Sequence, residues 1–389
     1  MARKEEALTA IQESVEMYRR LAAERPAAYN PDLAHSLNNL STCLAEMDQK
    51  HEALTVIQQA VKIYWQLATE RPAAYNPSLA HSLNNLSTCL SNMGQRQEAL
   101  AAIQQAVEMR RHLTAERPAS YNLELAHSLN NLSSCLSDMG QKQEALTAMQ
   151  ESVETYWQLA TERPVAYNPH LARALNNLSS CLCDMGQKKE ALTAIQQVVE
   201  MYRELARENP AAYNPDLARS LNNLSLDLSD MDQKQEALTA IQQAVEIYRQ
   251  LAVVRPAAYN PYLAGSLNNL SDNFFRMDQE HEALVVIQEA IEICRHLDAE
   301  QPEVYNQDLA LYLFTLTECL HKLGHYEDAL SAMQESICLY RLLLSNHPVY
   351  FGPELGAALS MYSEVLLSLG RHKEAVLAKS EAESCRINY

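Results

Sequence analysis

Residues 30–75 read NPDLAHSLNNLSTCLAEMDQKHEALTVIQQAVKIYWQLATERPAAY, and residues 76–121 read NPSLAHSLNNLSTCLSNMGQRQEALAAIQQAVEMRRHLTAERPASY. The two stretches are nearly identical, and the same spacing of 46 residues runs through the rest of the chain. Eight prolines mark this spacing: Pro26, Pro72, Pro118, Pro164, Pro210, Pro256, Pro302 and Pro348. Self-similarity at a fixed period of roughly 20–50 residues is typical of a solenoid or array. No linker or low-complexity tract interrupts the spacing, so we predict one continuous array.

Each repeat predicts two helices, of which the first is helix A. Asn30 suits the N-cap and Pro31 suits the first helical position, so helix A is expected from there to about Met47. Its leucines recur at helical spacing: Leu33, Leu37, Leu40 and Leu44. Position 48 of the repeat is Gly in five repeats and Asp in three. Gly adopts the left-handed conformation freely and Asp tolerates it, so this position predicts the end of helix A.

Helix B is expected from about Gln49 to Glu70, ending before Pro72 because the residue before a proline is pushed out of the helical region. Its apolar stripe comprises Ala53, Leu54, Ile57, Ala60, Val61 and Tyr64. The small residues mark the positions where two helices approach closely. Residues 27–30, which read AAYN, are expected to form a turn, and Tyr29 is expected to fill the wedge between two helices.

Composition excludes several classes of function. The chain has 389 residues and a net charge of -18, which argues against binding a nucleic-acid backbone. No apolar run approaches the roughly 18–20 residues of a membrane span. Nine cysteines in a long chain argue against a disulfide framework and for a reducing, cytoplasmic compartment. No nucleotide-binding, hydrolase or metalloprotease motif is present, so we predict no enzyme activity and no cofactor.

These columns resemble the tetratricopeptide repeat. Helix A of that family runs large, Leu, small, large, and helix B runs small, large, small; the matching residues are Leu37, Leu40, Ser41, Leu44, Ala53, Ile57 and Ala60. The usual unit has roughly 34 residues. The longer repeat here, with its LNNLS string, is similar to the branch typified by kinesin light chain and to repeat arrays of fungal NACHT-type and CHAT-type proteins. The resemblance implies an all-α solenoid of helical hairpins, a right-handed superhelix, and a protein-binding scaffold.

The repeats divide the chain into three stretches. Residues 1–29 form an orphan helix B with its connection, residues 30–307 form six near-identical repeats, and residues 308–389 form two diverged repeats with a C-terminal cap. The number of repeats predicts 17 helices, nine of type B and eight of type A. The first helix B has no helix A before it, which suggests a cut or covered end. We therefore expect its apolar residues to lack half their packing and to promote self-association: Ala7, Ile11 and Val15.

One face of helix A lies opposite the leucines and, in tetratricopeptide arrays, lines the concave groove. It carries a column of asparagines: Asn38, Asn84, Asn130, Asn176, Asn222 and Asn268. The next row holds His35, His81, His127, Arg173 and Arg219. An Asn amide both donates and accepts hydrogen bonds, so this column is a candidate site for the backbone of an extended peptide. The alternatives are a passive, solvated face and binding on a different face. The second asparagine, Asn39 and its equivalents, resembles a residue that braces helix A in this family.

Three other columns of residues have structural interpretations that compete with a functional role. The histidines repeat at the distance between repeats, around 10 Å, whereas zinc needs its ligands about 2 Å from one centre, so we predict no metal site. The cysteine column is expected to pack as small apolar residues: Cys43, Cys89, Cys135 and Cys181. Trp65 and Trp157 share a column with arginines, which is either a binding surface or a cover for apolar neighbours.

Two functional hypotheses remain. The first is a non-enzymatic scaffold that binds a protein or peptide partner, of unknown identity, in the groove. The second is a regulatory or sensor fragment of a larger NACHT-type or CHAT-type signalling protein, which the missing first helix A favours.

Overall fold

The computed structural model describes residues 2–300, 303–346 and 351–388, and Pro302 and Pro348 lie outside them. The described residues form 17 α-helices, as predicted. The B helices are α1 (Ala2–Glu24), α3 (Lys50–Glu70), α5 (Arg96–Glu116), α7 (Lys142–Glu162), α9 (Lys188–Glu208), α11 (Lys234–Val254), α13 (Glu280–Glu300), α15 (Tyr326–Asn346) and α17 (His372–Asn388). The A helices are α2 (Pro26–Glu46), α4 (Pro72–Asn92), α6 (Pro118–Asp138), α8 (Pro164–Asp184), α10 (Pro210–Asp230), α12 (Pro256–Arg276), α14 (Asn306–Lys322) and α16 (Gly352–Ser368).

The chain forms two compact units, one ending at Ala194 and the other beginning at Ile195, within α9. In the first, each helix from α1 to α8 packs against the next, and successive A helices also touch. In the second, α10 to α17 follow the same pattern. The described helices include none that is both long and apolar enough to cross a membrane.

Helix A begins earlier than predicted in the near-identical repeats. α2 starts at Pro26, preceded by Arg25 with φ −137° and ψ 75°. Proline at the first helical position loses no hydrogen bond, and the two alanines after it favour helix. The expected AAYN turn is therefore helical, and Pro31 lies inside the helix rather than at its start. In the two diverged repeats helix A begins only at Asn306 and Gly352.

The turn from helix A to helix B is as predicted. Position 48 has a positive φ in all eight repeats, 60° at Asp48 and 72° at Gly94, for example. The chain then reverses so that the Gln49 N–H donates to the Leu44 carbonyl oxygen at 2.9 Å. This bond satisfies a carbonyl that the end of helix A would otherwise leave without a partner.

Small residues let helix A and helix B of one repeat approach closely. Ala53 and Ala60 are fully buried against the leucine stripe of helix A. The Ser41 hydroxyl donates to the Ala53 carbonyl oxygen at 3.0 Å, and Ser133 makes the equivalent bond to Ala145 at 2.7 Å. A larger side chain at these positions would separate the two helices, so the predicted steric role of the alanines is confirmed.

The first helix B is better packed than predicted. Val15 is only 2% exposed and belongs to a core cluster with Leu33 and Leu37 of α2. Ile11 is half-buried beside that cluster, and Ala7 is exposed. The expectation that all three residues lack half their packing is therefore wrong for Val15, because α2 alone covers it. Self-association through this helix stays a prediction.

Candidate functional site

Two asparagines per repeat form a hydrogen-bonded ladder between successive A helices. In each rung the second asparagine of one repeat donates from Nδ2 to Oδ1 of the first asparagine in the preceding repeat. The rungs are Asn85 to Asn38 at 3.3 Å, Asn131 to Asn84 at 3.2 Å, Asn177 to Asn130 at 2.9 Å and, in the second compact unit, Asn269 to Asn222 at 3.1 Å. The second asparagine was expected to brace helix A against the neighbouring turn; it braces helix A instead against the helix A before it.

The first asparagine is less accessible than predicted. Asn38 and Asn84 are each 3% exposed and Asn176 is 7% exposed, whereas Asn130, Asn222 and Asn268 are half-buried. The Ser128 hydroxyl also donates to Asn84 Oδ1, at 3.0 Å. The expected open column of amides is thus partly covered, because the next A helix lies over it. The more accessible amides belong to the second asparagines, of which Asn85, Asn131 and Asn177 are half-buried.

The histidine row is exposed beside this ladder. His35 Nε2 lies 3.2 Å from Asn39 Nδ2, and His81 Nε2 lies 3.5 Å from Asn85 Nδ2. The loss of water around the imidazoles lowers the pKa of His81 and His127, and the positive charge of Arg110 lowers it further. The pKa of His127 falls to about 4. Both imidazoles are therefore neutral at neutral pH. Among the described residues, no group of three or more His, Cys, Asp or Glu side chains is arranged to hold a metal ion.

Arginines continue this row in the next two repeats. Arg173 is exposed, and its charge contributes to the lowered pKa of His127. Arg219, in the second compact unit, pairs with Asp216 one helical turn away at 2.6 Å. The row therefore holds imidazoles in three repeats and guanidinium groups in the next two.

The cysteine column packs within the core at Cys89 and Cys135, as predicted, whereas Cys43 and Cys181 are only half-buried. Cys89 and Cys135 are buried, and their sulfurs lie 3.6 Å from Ser41 Oγ and 3.5 Å from Ser87 Oγ. Burial raises the pKa of the Cys89 and Cys181 thiols. These thiols stay protonated at neutral pH, which disfavours nucleophilic chemistry.

The arginines that share a column with the tryptophans connect successive B helices. Each reaches an acidic or amide side chain 40 residues further on: Arg19 with Gln59, Arg111 with Glu151, Arg203 with Gln243, Arg249 with Glu289, Arg295 with Glu335 and Arg341 with Glu381. Trp65 and Trp157 are 46% and 47% exposed at the equivalent positions. The arginines of this column thus support the stack of repeats.

One buried arginine of α5 was not predicted from the sequence. Arg110 stands where neighbouring B helices have Tyr64 and Tyr156, yet it is only 3% exposed. Its Nη1 donates to the Glu124 carbonyl oxygen and to Ser128 Oγ. Aligning residues 109–112, MRRH, with residues 63–66, IYWQ, would have revealed this buried cation.

Arg110 and Glu124 line a cavity of about 290 Å³ among α2 to α6. The cavity also opens to Tyr64 and to the histidine row at His81. Within the described part of the chain, two buried oxygens at this cavity have no hydrogen-bond partner, Ser82 Oγ and Glu124 Oε2. The arrangement places one cation, one carboxylate and a hydroxyl around a space accessible from the helix A face.

Comparison with protein families agrees with this architecture. A family model described as Tetratricopeptide repeat matches residues 79–114, 125–158, 171–210, 217–253 and 263–302. The chain is built from tetratricopeptide repeats. Each match covers helix A from its leucines onward and then helix B, which confirms the predicted repeat. A second model, Anaphase-promoting complex subunit 5, matches only residues 295–342 of this repeat array. No curated protein sequence matches the chain.

Solved structures show the same repeat fold. The apo form of the quorum sensor NprR from B. thuringiensis is 15% identical, with a TM-score of 0.64, over 99% of this chain and 98% of that one. BtubC (BKLC) from P. vanneervenii is 16% identical, with a TM-score of 0.53, over 64% of this chain and 92% of that one. At these identities the similarity establishes the fold alone.

A third structure, of the Podosopora anserina putative kinesin light chain nearly identical TPR-like repeats, is 24% identical over 58% of this tetratricopeptide-repeat chain and 96% of that one, with a TM-score of 0.46. The structural neighbours thus include proteins similar to kinesin light chain, as predicted. The expected similarity to NACHT-type and CHAT-type arrays is not shown.

Proposed function

We propose that this tetratricopeptide-repeat chain is a non-enzymatic scaffold that binds an extended peptide segment of a partner protein along the helix A face. The observation that carries the proposal is the repeated row of accessible polar side chains beside the asparagine ladder. In the first compact unit this row holds His35, His81, His127 and Arg173, all exposed. The second asparagines lie next to it, fixed in orientation by the ladder.

Three of the second asparagines, Asn85, Asn131 and Asn177, each supply an unused acceptor. In the described residues, the hydrogen bonds of Asn85, Asn131 and Asn177 come from Nδ2. Their Oδ1 atoms are left to accept from a ligand. A backbone N–H of an extended peptide is a suitable donor, because the interaction requires no particular side chain.

The spacing suits an extended chain. Packed helices lie about 8–10 Å apart, and an extended strand advances about 3.3 Å per residue. Each repeat would therefore meet every third residue of the peptide. The first asparagines Asn38, Asn84 and Asn130 support this arrangement by holding the second asparagines. In the second compact unit the same column continues with Asn222, Asn268 and the ion-paired Arg219.

The test begins with peptides selected from a random displayed library and measures their affinity by calorimetry. The variant Asn131→Ala with Asn177→Ala removes two acceptors, and each lost bond costs about 0.5–1.5 kcal/mol. We expect binding to weaken by about tenfold or more, at about 1.4 kcal/mol per decade. Added salt should have a modest effect, because backbone contacts dominate.

Two controls separate binding from folding. Arg203→Ala with Arg249→Ala alters the B-helix column and should leave the affinity unchanged. Asn131→Asp removes the donor to the ladder but keeps an acceptor oxygen, so it should bind better than Asn131→Ala. Unchanged affinity in the double Asn variant, with loss in the Arg control, would move the site to the B helices and refute the proposal.

A further inference from the structure

The cavity at Arg110 holds two opposite charges that do not neutralise each other by direct contact. In the described residues, both hydrogen bonds of the guanidinium come from Nη1 and go to the Glu124 carbonyl oxygen and Ser128 Oγ. The Glu124 carboxylate oxygen Oε2 is buried at the same cavity without a hydrogen-bond partner. Nη2 and Nε of Arg110 therefore remain to donate to a ligand, and Glu124 Oε2 remains to accept.

Buried charges are costly unless something pairs with them. Burial lowers the pKa of Arg110 to about 10, so the guanidinium is a cation at neutral pH. The lowered pKa of His81 keeps that imidazole neutral, and burial raises the pKa of the Tyr64 phenol. The cavity thus offers one positive and one negative group with no large excess of either sign.

We propose that this cavity binds a free α-amino acid, whose carboxylate accepts from Arg110 and whose ammonium donates to Glu124. A simple anion such as phosphate would be attracted by Arg110 but repelled by Glu124. A simple cation would meet the opposite conflict. An α-amino acid carries both charges a few bonds apart and satisfies both groups, and the guanidinium fork matches a carboxylate.

The other cavity walls suit such a ligand. Ser82 Oγ, on a side chain that is fully buried, has no partner within the described residues and can bond to either charged end of the ligand. Pro77 and Leu113 give an apolar wall for the amino-acid side chain. Cavities of roughly 300–1,000 Å³ hold drug-sized ligands, and the present 290 Å³ lies just below that range, as suits a smaller molecule.

The arginine distinguishes this repeat from the others. At the same two positions the preceding repeat has Tyr64 and Ser78, and the following repeat has Tyr156 stacked on His170 with ring centroids 5.9 Å apart. An acidic residue recurs at the second position, but beside a neutral residue each time: Asp32 with Tyr18, Asp216 with Tyr202, Asp308 with Cys294 and Glu354 with Tyr340. The exchange of Tyr for Arg110 therefore adds the cation that this repeat alone combines with the carboxylate.

The test uses calorimetry on the full chain at neutral pH with each of the common free L-amino acids. We expect at least one to bind, and its N-acetyl and carboxamide derivatives to bind at least about tenfold more weakly, because each loses one charged contact. Equal binding of either derivative would overturn the zwitterion proposal, as would the absence of binding by every amino acid at millimolar concentration.

The matched variant is Arg110→Tyr with Glu124→Ser, which copies the preceding repeat and so uses a combination that this fold already accommodates. We expect it to lose amino-acid binding while keeping its helical circular-dichroism spectrum. The milder Glu124→Gln should weaken binding about tenfold or more. Undiminished binding in the double variant would place the ligand elsewhere and refute the site. None of these residues is altered in the peptide-binding test, so the two proposals fail independently.

Discussion

Copying the preceding repeat at Arg110 and Glu124 should show how strongly the two charges at the cavity depend on each other. The perturbations are Arg110→Tyr, Glu124→Ser and the two together. Removing the guanidinium alone eliminates its bonds to the Glu124 carbonyl oxygen and Ser128 Oγ, and it leaves the Glu124 carboxylate without a nearby cation. Each hydrogen bond from a charged group contributes about 1.5–3 kcal/mol, and the new Tyr ring offsets part of the loss of two such bonds by restoring packing.

We therefore expect Arg110→Tyr to lower the local free energy of unfolding by about 3 kcal/mol. In the double variant both charges are gone and the residues are those of a packed neighbour. Removing both charges also removes the cost of keeping two charged groups at the cavity without direct contact between them, so well-packed neutral groups there are neutral or stabilising. The double variant should then be at least as stable as the original chain, with a coupling energy of about 2 kcal/mol or more.

The assay is native-state hydrogen exchange, read from amides of α5 and α6. Exchange must be measured for individual helices because repeats contact only their neighbours and unfold in blocks. A single unfolding midpoint for the whole chain would dilute the effect of a local change. Three variants and the original chain complete a double-mutant cycle. Additive losses, with the double variant as destabilised as the sum of the single ones, would show that the two charges do not interact.

Three further predictions concern single side chains. Leu129→Ala, at a fully buried position of α6, should cost about 2–5 kcal/mol in the exchange of the surrounding amides. Asn84→Ala should cost about 1–3 kcal/mol, since it leaves the donors of Asn131 and Ser128 without their acceptor; an unchanged urea midpoint would contradict the ladder. His127 has a native pKa of about 4 against 6.5 for the free group, so the unfolded chain binds more protons between these values and stability falls as pH falls. His127→Gln should therefore flatten the loss of melting temperature between about pH 6.5 and 4, and an equal slope in both proteins would contradict the lowered pKa.

The repeat and its helices could be predicted from the sequence because independent local signals agree. Leu37 and its equivalents give the helical period, and Gly94 and its equivalents give the left-handed turn. The start of helix A was predicted wrongly because two signals compete. Asn30 followed by Pro31 is a good N-terminal signal, but Pro26 followed by two alanines is an earlier one. Helix propensity favours the longer helix, and Pro31 is accommodated inside it.

The face of helix A could be assigned from the sequence, but the accessibility of its residues could not. A helical wheel places Asn38 on the polar side, yet its exposure depends on the neighbouring A helix, from which Asn85 reaches across. The distance between neighbouring A helices is set by the stacking of the repeats. For the same reason the wheel shows which residues share a face without showing which of them remain free to bind a peptide.

The cavity shows a different limit of sequence reasoning. Near-identity among repeats directs attention to what is shared, whereas the chemistry here lies in a departure. Arg110 and Glu124 are 14 residues apart on different helices, and each is an ordinary charged residue when considered alone. Ser82 has equivalents in other repeats and gives no signal at all. Only packing unites a buried guanidinium, a carboxylate and a hydroxyl around one space, and only comparison with Tyr64 and its equivalents shows that the arginine is the exchanged residue. A scaffold of similar repeats can thus acquire a specific small-ligand site in one repeat while the others keep the stack intact.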